Sequence, residues 1–285
     1  MSMYEITRKV VLNSASFEVD VHAPLVAKKA QPGQFIIARV GEDGERIPLT
    51  IGDYDREKGT ITLVVQAVGF STKQMAKLEV GDSFTDFVGP LGEPTKLNFE
   101  WKHVVGVCGG IGSAPVYPQL KELAAHGVHC DVIIGGRAKE NIIWAEKFEK
   151  FCDHVYIATD NGEVGTKGFG TTVLQNLLDQ GEKFDCCIAI GPVIMMKNVV
   201  KVTKPAGIFT SVSLNPIMVD GTGMCGCCRV TVGGKIKFAC VDGPDFDGAE
   251  VDFDELMARQ RFFKDEEKYV DEHADRICDL MRGGE

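Results

Sequence analysis

Four residues within one short stretch have the types and spacing to hold a metal cluster. Residues 218–240 read MVDGTGMCGCCRVTVGGKIKFAC. Cys225 and Cys228 are separated by two residues, Asp220 precedes Cys225 by four intervening residues, and Cys240 follows Cys228 after eleven more. Plant-type iron–sulfur sites space their thiolates C-x4-C-x2-C…C. The chain has that frame, with Asp220 where the first Cys would stand. Two irons bridged by two sulfides need four anionic ligands around a compact core, so the backbone must curl tightly around it. Gly221, Gly223 and Gly226 permit the curl because glycine reaches positive φ without penalty. The inward amides then offset the charge on the sulfides. The assignment is a [2Fe-2S] cluster held by Asp220, Cys225, Cys228 and Cys240.

Three other readings use the same cysteines: a structural zinc ion, a disulfide of the kind secreted chains carry, and inert core thiols. Cys227 is out of phase with the frame and reads as a non-ligand, able to substitute if Asp220 does not bind. A carboxylate is a harder ligand than a thiolate, which displaces the cluster potential from that of an all-Cys site.

The elements that must position this loop are legible on either side. Residues 229–238 alternate and turn at Gly233–Gly234, a hairpin that returns Cys240 to the loop. Asp252 and Glu255 form a capping-box pattern that opens a charged helical tail running to about Met281. That tail is either a solvated helix or a docking surface for a partner subunit.

Residues 1–98 read as short strands with turns and no long helix, which predicts an antiparallel barrel. Within it, R-I-P-L-T over 46–50 sets Arg46 and Thr50 on either side of Pro48 and Leu49. That spacing can put a cation on a pyrophosphate and a hydroxyl near a flavin ring nitrogen, although a loop Arg is also commonly just solvated. Val65 lies in the alternating run 60–68. Gly69, Ser71 and Thr72 open a short helical pattern over 71–78, where glycine and hydroxyls can cradle phosphate or simply cap the helix.

Residues 99–213 alternate strand with helix, which predicts a doubly wound parallel sheet whose ligands bind at the carboxyl ends of the strands. Those ends carry Gly109, Gly110 and Gly112 before Ala114 and Pro115, then Arg137, then Asp160, Asn161 and Gly162, and finally Gly191 and Pro192. Helices are expected over 116–126, 139–151 and 171–179. Arg137 is suited either to a 2′-phosphate or to stacking on adenine. Cys108 lies at this mouth and reads as a strand residue lining it. Cys186 and Cys187 read as core, and the six histidines form no ligand pattern.

With 285 residues there is room for two or three domains. A net charge of −10 argues against nucleic acid, and no stretch approaches the length of a membrane span. The N-terminus lacks an apolar signal region, so a cytoplasmic location is expected, where the ten cysteines stay reduced.

The order R-x-P-L-T, V-G-x-S-T, G-P-L-G resembles the FAD domain of the ferredoxin–NADP reductase superfamily, in the branch containing the electron-transfer subunit of dihydroorotate dehydrogenase. The resemblance implies an FAD barrel over 1–98, an NAD(P)-binding domain over 99–213 and a small [2Fe-2S] domain with a helical tail over 214–285. It assigns Arg46, Gly69, Ser71 and Thr72 to the FAD pyrophosphate and places Thr50 nearest flavin N5, beside Pro48, Leu49 and Val65. The nucleotide pyrophosphate goes to Gly109–Gly112, with Ala114 and Pro115, and the nicotinamide to Gly191, Pro192 and Met195. Arg137, Asp160, Asn161 and Gly162 complete the set, with NAD(H) as the nucleotide. Asp220 in place of Cys makes the chain similar to the small subunits of NADH-dependent reduced ferredoxin:NADP+ oxidoreductases. That implies a heterodimer with a larger flavin and [4Fe-4S] subunit that performs electron bifurcation. Ferredoxin and NADP+ are then reached through the partner, and no acid or base side chain is needed. The alternative is the electron-transfer subunit of an NAD-dependent dihydroorotate dehydrogenase, whose pattern has Cys at this position.

Overall fold

The structure, a computed structural model, describes residues 2–273. The expected tail beyond His273 lies outside the described residues. The first strands are β1 (Ile6–Asn13), β2 (Ser16–His22), β3 (Phe35–Arg39), β4 (Ile47–Thr50), β5 (Asp53–Asp55), β6 (Thr60–Gln66) and β7 (Asp86–Leu91). They form two antiparallel sheets, β1-β2-β6-β5 and β4-β3-β7. Ile51 N–H donates to Gln34 O at 3.0 Å and Gly52 N–H to Thr62 O at 2.9 Å, so the chain passes from one sheet to the other without leaving the wall. The alternating residues Phe17, Val19, Val21, Ile61, Leu63 and Val65 fill the interior with Ile36 and Phe87. Two short helices, α1 (Pro24–Lys29) and α2 (Phe70–Met75), close the ends of this barrel.

The middle of the chain runs β8 (His103–Gly109), α3 (Ser113–Ala125), β9 (His129–Gly136), α4 (Ala145–Phe148), β10 (His154–Thr159), β11 (Thr166–Lys167), α5 (Gly170–Asp179), β12 (Cys186–Ile190), α6 (Val193–Thr203) and β13 (Phe209–Ser213). The last part adds β14 (Arg229–Val232), β15 (Lys235–Phe238), α7 (Ala239–Asp242), β16 (Asp245–Asp247), α8 (Phe253–Arg259) and α9 (Lys264–Glu272). The large sheet has the order β11-β10-β9-β8-β12-β13-β16, parallel throughout except that β16 pairs antiparallel to β13. Successive side chains of β8 and β12 enter two different cores. Val104, Cys108, Cys186 and Ile188 pack under α3 and α4, and Val105, Val107, Cys187 and Ala189 pack under α5 and α6. A sheet buried on both faces is the doubly wound arrangement read from the sequence.

One local expectation is revised. The helical run over 139–151 shrinks to α4, because Trp144 adopts φ 66° and turns its ring onto the barrel. There Trp144 Nε1 donates to the buried Glu18 carboxylate at 2.6 Å, which also receives Arg8 and Lys147. This cluster joins barrel and sheet. The C-terminal segment in turn shares the sheet: Val230, Phe253 and Leu256 enter the same core as α5 and α6.

Where barrel, sheet and C-terminal segment meet, Asp245 is half-buried, and its enclosed carboxylate accepts from Thr95 Oγ1 and Gln119 Nε2 on one oxygen while the other has no close partner. Burial pushes this carboxyl above its ordinary value, with Ser213 and Thr95 pulling weakly the other way. A raised folded value means that the fold holds the proton more tightly than the unfolded chain does. Stability therefore falls as pH rises from about 4 through the folded value. Asp245→Asn is expected to flatten that slope without loss of stability at neutral pH, which urea unfolding at a series of pH values checks. An unchanged slope would remove Asp245 as its source.

Candidate functional site

All three loop glycines carry positive φ: Gly221 at 76°, Gly223 at 88° and Gly226 at 68°. The curl they permit sets the donors out as two pairs. Cys225 Sγ lies 3.0 Å from Asp220 Oδ1, and Cys228 Sγ lies 3.2 Å from Cys240 Sγ. The hairpin β14–β15 makes the second pair possible. Its two-residue turn has Gly233 and Gly234 at φ 58° and 70°, and Ala239 N–H returns to Cys228 O at 3.1 Å. One pair per metal is what a two-iron cluster requires, whereas a single zinc ion draws four donors to one centre. The donor set thus fits a [2Fe-2S] group.

The pairs differ in environment. Cys228 and Cys240 are 1% and 2% exposed and pack with Met218 and Ala239 against Phe35 and Ile37 of β3. Burial pushes the Cys240 thiol up to about 12. Cys225 is exposed, and Asp220 is held well below the usual carboxylate range by Cys225, Thr222 Oγ1 and the Met224 amide. Gly221 faces the barrel so closely that a Cβ there would lie 3.0 Å from Ile37 and 3.1 Å from Leu91.

Arg46 spans the junction: its Nε and Nη2 donate to the carbonyls of Val219 and Asp220, both at 3.2 Å. From the opposite side, Arg259 Nη2 donates to Cys227 O at 3.2 Å. Arg46 and Pro48 then line a cleft of about 770 Å³ whose other walls are Pro192 and Ile194, Pro216 and Met218, and Met257 with Lys264 from α8 and α9. Its size is that of a cofactor pocket. Sequence reasoning missed Arg259, Met218 and the α8 wall, because nothing local marks a side chain that acts across domains.

The remaining expected residues lie outside the lining of this cleft. Leu49 and Thr50 are half-buried on β4 beside Pro48, with Thr50 paired to Phe35. Val65 turns its side chain into the barrel core. Gly69 caps α2 and faces open space, and Thr72 Oγ1 accepts from the Val68 and Gly69 amides at 3.1 Å. Ser71 Oγ donates to the Glu45 carboxylate.

At the carboxyl ends of the parallel strands, Gly109, Gly191 and Met195 come together. A Cβ on Gly109 would lie 2.8 Å from Met195 Sδ, and one on Gly191 would lie 3.0 Å from the same sulfur. Gly110, at φ 58°, has nothing within 4 Å, and Gly112 is pressed against the Ile190 carbonyl. Such a bare, inward-bent backbone can approach a pyrophosphate closely. Pro115 is half-buried and Pro192 exposed at this edge, while Ala114 is buried against Gly52 of the barrel. Arg137, Asp160, Asn161 and Gly162 stand exposed at the neighbouring strand ends, joined by Asn161 N–H to Arg137 O at 3.3 Å.

Cys108 does not line the mouth. It is fully buried, bonded by Ser113 Oγ at 3.4 Å, and its thiol is pushed up to about 12 by burial. Cys186 and Cys187 are fully buried core residues. The histidines do form a pattern, contrary to the sequence expectation: strand register gathers His103, His129 and His154 around Asp131.

Residues 215–252 match the iron–sulfur cluster binding domain family of dihydroorotate dehydrogenase B. The chain is 54% identical over 93% of its length to a protein in the adh 3′ region of Clostridium beijerinckii, covering 92% of that protein. It is 45% identical over 94% of its length to a dihydroorotate dehydrogenase B (NAD(+)) electron-transfer subunit homologue of Thermotoga maritima, covering 94% of that chain. A solved chain, described in work on flavin-based electron bifurcation via the NADH-dependent reduced ferredoxin–NADP oxidoreductase structure, superposes with a TM-score of 0.91. It is 42% identical, over 96% of this chain and 98% of that one. Among the described residues no helix is long and apolar enough to cross a membrane.

Proposed function

The chain belongs to the family of dihydroorotate dehydrogenase B electron-transfer subunits and their homologues, within the ferredoxin–NADP reductase superfamily, and from that premise we propose that it is the NADH-facing subunit of an electron-bifurcating ferredoxin:NADP+ oxidoreductase. It is an oxidoreductase subunit that uses FAD, NAD(H) and an iron–sulfur cluster. When bound, these groups supply hydride exchange between nicotinamide and flavin and single-electron exchange with the cluster.

The chain's own residues bind and orient. Arg46 is assigned to the flavin pyrophosphate, with Gly69, Ser71 and Thr72 beside it and Thr50 toward the ring. Gly109, Gly110 and Gly112 take the nucleotide pyrophosphate, and Gly191, Pro192 and Met195 flank the nicotinamide. Asp220 with Cys225, and Cys228 with Cys240, would hold the iron–sulfur cluster. Because hydride transfer depends on positioning, no side chain is assigned as acid or base. The domain division at about 98 and 213 follows this sharing of labour.

The observation that carries the reading is the Arg46 bridge, which ties the cleft wall to the carbonyls of Val219 and Asp220. Its test is anaerobic purification of the native complex, mass spectrometry of the partner, and addition of NADH. A larger flavin and [4Fe-4S] partner, with bleaching of flavin absorbance by NADH, supports it; absence of bleaching rejects it. The match to the dihydroorotate dehydrogenase B cluster domain favours one second reading, which a co-purifying dihydroorotate dehydrogenase subunit would establish.

The partner is expected to meet the exposed pair of ligands. Met224 is 89% exposed at the loop tip next to Cys225, and Val219 is exposed nearby. Met224→Asp should weaken association with the partner by about tenfold or more while iron content is unchanged. Equal affinity in a titration of the two subunits would place the docking surface elsewhere.

A further inference from the structure

Parallel register places four polar residues on one face of the large sheet, at the amino ends of three adjacent strands. His103 of β8 stands opposite His129 of β9, Asp131 lies two residues on along the same face, and His154 of β10 stands opposite Asp131. Asp131 is 3% exposed. Its Oδ2 lies 3.0 Å from His103 Nε2, and its Oδ1 lies 3.0 Å from His154 Nδ1 and 3.9 Å from His129 Nε2. One donor atom each from His103, His129 and Asp131 fall within 4.8 Å of one another, the one such His/Cys/Asp/Glu group among the described residues. On the outer side Asp153 Oδ2 is 3.1 Å from His129 Nε2. On the inner side the Phe184 ring lies 4.5 Å from His103.

We propose that His103, His129 and Asp131 bind a first-row divalent cation of the Zn²⁺ class, with His154 fixing the free oxygen of the carboxylate. A buried carboxylate needs compensating charge. The groups that pair with Asp131 among the described residues are imidazoles, which compensate it only when protonated. A dication compensates it while the rings stay neutral. Mixed imidazole and carboxylate donors select Zn²⁺ and its neighbours over Ca²⁺ or Mg²⁺. In a tetrahedral site with bonds of about 2.0–2.1 Å, neighbouring donors lie about 3.4 Å apart. Asp131 Oδ2 and His103 Nε2, at 3.0 Å, stand close to that spacing, and the His129 donor lies within 4.8 Å of both. A partner that fixes the free face of a ligand is a regular feature of such centres, and His154 stands in that place on Asp131 Oδ1. His129 is 45% exposed, which gives the cation a way in. The site is at the end of the strands opposite the nucleotide loops, so the cation would staple β8 to β9 and take no part in electron transfer.

The cluster thiolates also take zinc, so the test must tell the two places apart. The iron-loaded, flavin-loaded full chain is equilibrated anaerobically with Zn²⁺ against a competing chelator, and zinc, iron and flavin are counted. One zinc beyond the full iron complement is expected, with affinity at least tenfold weaker in His129→Ala and iron and flavin unchanged. Equal zinc binding by the two proteins overturns the proposal. Anomalous diffraction at the zinc edge from wild-type crystals gives an answer independent of any variant. A peak between His103, His129 and Asp131 supports the site, and zinc found only elsewhere, or nowhere, overturns it.

Discussion

Cys228→Ala is expected to abolish the iron of this chain entirely, whereas Asp220→Cys keeps it and shifts its potential. The asymmetry follows from where the two pairs sit. Cys228 and Cys240 are buried 3.2 Å apart in a small core whose other members, Phe35, Ile37, Met218 and Ala239, are apolar. Removing one sulfur leaves its partner beside a void, in a site where burial already disfavours the thiolate. Asp220 and Cys225 lie on the solvent side of the loop, where a thiol can replace the carboxylate with local adjustment only. Cys227→Ser should retain full iron, since the residue is out of phase with the ligand frame and its carbonyl accepts from Arg259. Iron analysis and anaerobic redox titration decide the set. Full iron in Cys228→Ala would place the cluster elsewhere, and an unchanged potential in Asp220→Cys would remove Asp220 from the ligands.

Arg46→Ala is expected to cost both prosthetic groups at once: flavin retention weaker by at least about tenfold, and a cluster that bleaches faster in air. The guanidinium forms a wall of the cleft and donates to two carbonyls of the cluster loop. Each hydrogen bond from a charged donor is worth about 1.5–3 kcal/mol, and 1.4 kcal/mol is tenfold in affinity. Lysine restores the charge but not the planar fork, so Arg46→Lys should recover part of the flavin and little of the cluster stability. Flavin and iron stoichiometry with the rate of cluster loss in air are the readouts. Normal values for both groups would reduce Arg46 to a solvated loop residue.

Much of this was legible in the chain. The D-x4-C-x2-C-x11-C frame, the glycines that curl it and the hairpin that returns Cys240 are local features, set by spacing and by which residues accept positive φ. The same is true of the alternating strands of the barrel and of the glycines at the ends of β8 and β12. Local rules misjudged residues 139–151, since the pattern there is helical but Trp144 gains a buried partner in Glu18 by leaving the helix. They also misjudged Cys108, which stands at the end of its strand yet points into the core.

What the sequence by itself determined, then, is which short segments exist and which chemistry each can hold: a thiolate loop, a barrel with a cation beside its strand β4, and a sheet with bare glycine turns. Only the tertiary structure decided how they meet. The pairing of Asp220 with Cys225 and of Cys228 with Cys240, the reach of Arg46 to the cluster loop, the insertion of β16 beside β13 and the gathering of three histidines around Asp131 all depend on packing and strand register between residues far apart in the chain. Register is set by the burial of whole faces rather than by any one residue, so no spacing along the sequence announces it.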